Sequence, residues 1–169
     1  MLLNRLWPAL LAPLLFGLGT AAAKGLLSDI SPVLLAGLLY LGSGLGLGLV
    51  WLLRGRTKAP LGRADLPWLA GAILCGGVAG PILMMTGLAR TSASAASLLL
   101  NLEASFTALL AWTLFGERAN ARLAGGLALA LAGAGVLSWS GPGAWGQAHW
   151  QGSLLIVAAC LAWGLDNNL

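Results

Sequence analysis

The sequence predicts an all-α fold: a polytopic membrane helix bundle, built as one five-helix repeat followed by a truncated sixth helix. Three observations carry that prediction. Hydrophobic residues make up 59% of the 169 positions and charged ones only 8%, with a mean hydropathy of +0.88. A soluble domain is about one quarter charged, so this chain cannot cover a water-facing exterior, and its solvent is lipid. Apolar runs recur at roughly 6–27, 32–53, 67–88, 92–115, 122–140 and from 151 onward. Complete runs of this kind match the ~20 residues that cross a ~30 Å hydrocarbon core as helix. Finally, Lys and Arg gather in alternate connectors, which is a topology signal. Helix is required throughout, because backbone in contact with lipid must satisfy its hydrogen bonds within its own segment.

The first run follows Arg5 and carries Pro13 and, near its far end, Lys24. Ala21-Ala22-Ala23 resembles a signal-peptide cleavage site. The preceding apolar stretch is long for such a segment, and cleavage would remove the repeat's first helix, so retention is expected. The second run contains Gly42, Gly44, Gly46 and Gly48, and the third contains Gly76 and Gly80. Small-xxx-small spacing marks Gly44, Gly48, Gly76 and Gly80 for close helix packing. Gly80-Pro81 removes a backbone hydrogen bond in mid-span, which makes Pro81, and likewise Pro13, a candidate hinge. The fourth run holds Glu103, and the fifth spans 122–140. Residues 141–150 read as an external linker rich in turn formers, ahead of the sixth run.

Arg54, Arg56, Lys58 and Arg63 follow the second run, Arg118 and Arg122 the fourth, and Arg5 precedes the first. The opposite connectors offer Arg90 alone. Seven positive residues against one place the N-terminus in the cytoplasm of a multi-pass protein of the cell (inner) membrane. Trp51, Trp68 and Trp150 stand at run ends, where amphipathic rings favour the interface.

Ala12-Pro-Leu-Leu-Phe-Gly-Leu18 is echoed by Ala159-Cys-Leu-Ala-Trp-Gly-Leu165, with four identities in seven and Trp163 in place of Phe16. An odd number of spans per copy inverts the second copy relative to the first, as in many transporters. Residues 1–140 then form the first repeat, and 151–169 begin the second. The last run ends at Leu169 before a full crossing, with no basic flank, and truncation is the expectation.

With these elements in place the sequence resembles the EamA-like branch of the drug/metabolite transporter superfamily. The likeness rests on Lys24, on Leu88-Ala-Arg-Thr-Ser-Ala-Ser-Ala-Ala96, and on the restart at Ala159–Leu169. Its most specific part is Leu100-Asn-Leu-Glu-Ala-Ser-Phe-Thr-Ala-Leu-Leu110 closing on Phe115-Gly-Glu117. The resemblance implies ten helices in two inverted repeats and transport of small metabolites, amino acids or drugs.

Glu103 lies midway along its run, where an ionised carboxylate needs a partner or water. It is a candidate proton relay, substrate-cation partner or ion-pair member; the blander alternative is a protonated Glu bonded to a neighbouring helix. At ~100° per residue, Asn101 falls about 160° around the helix from Glu103. It shares a face with Ser94, Ser97 and Ser105, so that stripe is assigned to helix packing and Glu103 to the pathway. Lys24 either snorkels to the interface or faces the cavity and pairs with Glu103 or an anionic substrate group. Asp166, Asn167 and Asn168 align with Gly19, Thr20 and Ala21. Asp166 and Asn167, with Trp163, are pathway candidates, although a frayed end would look the same.

No cofactor and no metal are expected: Cys75 and Cys160 are buried in apolar runs, and His149 is the only His. No dense basic patch invites nucleic acid, and no phosphate-binding loop is present to power pumping. Gly42-Ser43-Gly44 hints at an intramembrane hydrolase, but its Ser would need a base and His149 lies in a linker, so no enzyme is expected. The expected partners are a small solute, the bilayer, and the missing second repeat or a second copy. The alternatives are a half-size dimerising multidrug exporter and a non-transporting membrane subunit.

Overall fold

The computed structural model describes residues 2–54, 61–118, 120–138 and 147–169. Arg56, Lys58 and residues 141–146 of the linker lie outside the described residues, as do the side chains of Arg5 and His149. Within them the chain is a helix bundle. Helix α1 (Leu2–Leu26) and α2 (Pro32–Arg54) form the first two spans. The third span is composite: a 3-10 turn (Arg63–Asp65), α3 (Leu66–Ala72), a π-helical segment (Ile73–Ala79) and α4 (Gly80–Ala89). The fourth is α5 (Ala93–Leu99) and α6 (Leu102–Thr113), followed by α7 (Ala121–Ser138) and α8 (Gln147–Asp166). Three stretches are long and apolar enough to cross a membrane on length and composition: Pro32–Arg54, Arg63–Ala89 and Ala93–Thr113. Shorter apolar cores lie at Leu11–Leu26, Ala124–Gly133 and Trp150–Asp166. The protein is thus an all-α membrane helix bundle. Its sixth helix starts at Gln147, inside the stretch expected to be linker.

Local chemistry sets the helix ends. Ser31 Oγ accepts from the Leu34 amide at 3.4 Å, with Pro32 as the first helical residue. Proline suits that position because its missing N–H would be unpaired there anyway. Ser92 Oγ caps α5 by accepting from the Ala95 amide at 3.1 Å, one of the orphan donors of a helix start. α6 ends at Thr113, and three residues on, Gly116 takes φ +69°, a left-handed conformation that disfavours any side chain. The Glu117 amide then closes back on the Ala111 carbonyl at 3.0 Å.

α8 is the hub of the bundle. A Cβ on Gly87 would stand 2.7 Å from the Gly152 carbonyl oxygen, and one on Gly76 would strike the Asp166 carboxylate. Gly152 thus meets the end of α4 while Asp166 meets the middle of the third span, so the two run antiparallel. Against the fourth span, Cys160 Sγ reaches the Leu99 carbonyl and Asn168 the Thr107 carbonyl, so here α8 runs parallel. Leu88, Ala96, Ile156, Ala159 and Cys160 are fully buried at this junction. α1 runs alongside α4 in the same direction, with Lys24 at the end of α4 and Phe16 and Thr20 near Pro81 and Met84. The two echoed segments therefore point in opposite directions.

Candidate functional site

The third span breaks at Pro81, and the break organises a polar node. In the π-helical segment the Gly80 amide donates to the Cys75 carbonyl, five residues back. Gly76 is left without a backbone donor: Gly80 is engaged elsewhere, and residue 81, next in the π register, is a proline with no N–H. Its carbonyl takes two side-chain donors instead, Tyr40 Oη of α2 at 2.9 Å and Trp163 Nε1 of α8 at 3.1 Å. An unpaired carbonyl in a lipid-solvated interior costs several kcal/mol, so three helices are tied to one oxygen. Gly76 and Gly80 make the approach possible, because added Cβ atoms would strike Asp166 and the Trp163 indole.

A second polar group lies across α8. Asn167 Nδ2 donates to Glu103 Oε1 and to Thr107 Oγ1, both at 3.1 Å. Thr107 Oγ1 itself donates to the Glu103 carbonyl at 2.9 Å. Asn168 Nδ2 donates to the Thr107 carbonyl at 3.0 Å and to the Gly164 carbonyl at 2.7 Å. Glu103 is ten residues from either end of Ala93–Thr113, and Gly76 thirteen from either end of Arg63–Ala89. Both groups therefore sit at mid-depth. A charged residue there costs about 2.5–3.5 kcal/mol even by insertion-based scales unless it is paired or hydrated; the Glu103 side chain has one amide contact and borders an open cleft of about 680 Å³.

The predicted site residues divide. Trp163 and Asp166 meet the third span at Gly76 and Gly80, and Asn167 meets Glu103 across α8. Lys24 does not join them: its Nζ donates to the Leu88 and Ala89 carbonyls at 2.7 and 3.2 Å. It caps the C-terminus of α4, where unpaired carbonyls and the helix dipole favour a cation. Asn101 does not lie on a separate face from Glu103, since both line the same cleft. The bonds Asn101 N to Leu98 O and Glu103 N to Leu100 O span three residues, so the chain is tightened there and ideal helical angles fail. The Asn101 amide turns back onto the Ser97 and Leu98 carbonyls at this break. Ser94 and Ser97 are exposed, whereas Ser105 is buried, its hydroxyl without a partner among the described residues, in a pocket shared with Ala124 and Leu127 of α7. Gly44 and Gly48 meet nothing within 4 Å, so their packing face is not filled by this chain's described residues. α1 continues through Pro13. Sequence reasoning missed Tyr40, the lone tyrosine of the sequence, because nothing in its span links it to Pro81.

Beside the node, a half-open cavity of about 290 Å³ lies between α1, α2, α4 and α8, lined by Phe16, Thr20, Tyr40, Pro81, Met84 and Trp163 among others.

Mid-depth polar residues, a broken span and cavities on both sides of one helix describe a multi-pass membrane helix bundle. The family model described as the EamA-like transporter family matches residues 6–139, and the chain belongs to that family. A curated relative from Methanothermobacter thermautotrophicus, described as an uncharacterized transporter, is 29% identical over 184 aligned positions. The match covers 99% of this chain and 54% of that protein, so the chain spans about half the length of the relative. No solved structure matches it.

Proposed function

We propose that this polypeptide works as a secondary transporter of small metabolites, amino acids or drugs by alternating access. On this reading residues 1–140 are one repeat, 141–150 an external linker, and α8 the first helix of an inverted second repeat. The N-terminus lies in the cytoplasm at the inner membrane. The observation that carries the reading is the mid-depth contact between Glu103 and Asn167, which joins the fourth span to the echoed helix. Rocking one repeat against the other would make and break that contact, with the glutamate exposed to either side in turn. The antiparallel course of α1 and α8 and the relative's greater length favour a second repeat in the same polypeptide over a second copy.

The test is solute counterflow in proteoliposomes of the full-length protein, screened with labelled amino acids, amines and sugars. Glu103→Gln should lower the initial rate for the accepted solute at least about tenfold, the size of a lost charge-assisted contact, with the amount of reconstituted protein unchanged. A wild-type rate in that variant would remove Glu103 from the pathway.

A further inference from the structure

The 290 Å³ cavity has an electrostatic character that its apolar lining conceals. Its polar residues are Thr20, Tyr40 and Trp163. Each has spent its donor on a backbone carbonyl. Thr20 Oγ1 donates to the Phe16 carbonyl at 2.9 Å, and Tyr40 and Trp163 both donate to the Gly76 carbonyl. What they offer a ligand is therefore hydroxyl lone pairs and the negative faces of aromatic rings, joined by Phe16 and the soft sulfurs of Met84 and Met85. A hydroxyl that donates is also a stronger acceptor. A carboxylate or other anion entering here meets no donor from the lining side chains. An ammonium group meets acceptors and π faces, the recognition elements of aromatic cation sites. One turn beyond Trp163, just outside the residues that line the cavity, Asp166 sets its carboxylate against Gly76, whose carbonyl holds Tyr40 and Trp163. Lys24, next to the lining residue Ala23, has two of its donors turned onto the end of α4.

Resting on the transporter reading above, we propose that this cavity selects organic cations. They are small amines with an apolar body and no carboxylate, seated among Phe16, Tyr40 and Trp163 with the ammonium toward Asp166. The volume suits such a molecule: benzene-sized ligands occupy cavities of about 150 Å³, and drug-sized pockets begin near 300 Å³. Zwitterionic amino acids are disfavoured, because their carboxylate would enter a site whose lining donors are spent.

The test is equilibrium binding to the purified full-length protein in nanodiscs of neutral phosphatidylcholine, with empty discs subtracted. The probes are 2-phenylethylamine, the neutral 2-phenylethanol and the anionic phenylacetate, which share one ring and differ in charge. The amine should bind at least about tenfold tighter than the alcohol, and phenylacetate should not bind. Asp166→Asn should remove the preference for the amine, while Asp29→Asn in the first external loop should keep it. Equal binding of amine and alcohol, tightest binding of phenylacetate, no binding of any probe, or a preference retained in Asp166→Asn would each overturn the proposal. The comparison in the wild-type protein needs no variant to fold. Because binding is read without flux, loss of charge selectivity leaves the transporter reading standing, and absence of flux leaves the binding result standing.

Discussion

Removing the donors that meet at the Gly76 carbonyl should give a non-additive loss of stability. Tyr40→Phe deletes one of the two, at 2.9 Å, and leaves Trp163 in place at 3.1 Å. Hydrogen bonds between membrane helices are measured at about 0.6 kcal/mol on average and about 1.7 at most, so this variant should lose about 0.5–1.5 kcal/mol. Trp163→Phe should lose a similar amount, plus the packing of the indole on Gly80. The double variant leaves the carbonyl with no donor, which adds a desolvation penalty of about 1–3 kcal/mol. A double-mutant cycle should therefore show coupling of at least about 1 kcal/mol. Pro81→Ala provides the internal control. It restores a backbone N–H at position 81, so the Gly76 carbonyl can be closed by that new amide in the π register or by Gly80 in the α register, and the coupling should vanish in that background. The assay is reversible unfolding in bicelles, followed by circular dichroism. Additive losses, or coupling that persists in the Pro81→Ala background, would refute the account of the break.

Gly76→Ala and Gly80→Ala should each loosen the docking of α8 by about 1–3 kcal/mol through overpacking, since their Cβ atoms meet Asp166 and Trp163; Gly44→Ala, whose Cβ would meet nothing within 4 Å among the described residues, should change the same unfolding curve by less than about 0.5 kcal/mol. Lys24→Met should cost about 1.5–3 kcal/mol by removing charged bonds to two helix-end carbonyls, and Lys24→Arg should recover most of it, read by thermal denaturation. Ser105→Ala removes a buried hydroxyl that has no partner among the described residues and should be neutral or stabilising by up to about 1 kcal/mol in that measurement. A reporter fused after Lys58 should score cytoplasmic and one after Trp145 external; the reverse pair would overturn the orientation.

Much of the scaffold was legible because lipid leaves few choices. The spacing of apolar runs marks helices, and structural boundaries such as Pro32–Arg54 fall within a residue or two of the expected 32–53. Gly80-Pro81 announced a break in the third span, and its form is a π-helical segment rather than a simple kink. Side-chain destinations were harder to read. Lys24 read as either an interfacial snorkel or a pathway cation, but the carbonyls it caps belong to a helix 64 residues away in sequence. The angular argument that separated Asn101 from Glu103 assumed an undistorted helix, and two three-residue bonds at Leu98–Glu103 removed that assumption. Tyr40 could be found only once the missing N–H of Pro81 was traced to a particular carbonyl. Gly44 and Gly48 show the limit of spacing rules, which identify a smooth face without saying what covers it.

Alternating access at the cleft beside Glu103 is the central claim, and thiol labelling tests it most directly. Ala104, exposed in that cleft, would be replaced by Cys after Cys75 and Cys160 are changed to Ala. A membrane-impermeant thiol reagent would then be applied to either side of sealed, oriented vesicles. Labelling from both sides, with a transported solute shifting the two rates in opposite directions, is the predicted result. Labelling confined to one side, whatever solute is present, would contradict it.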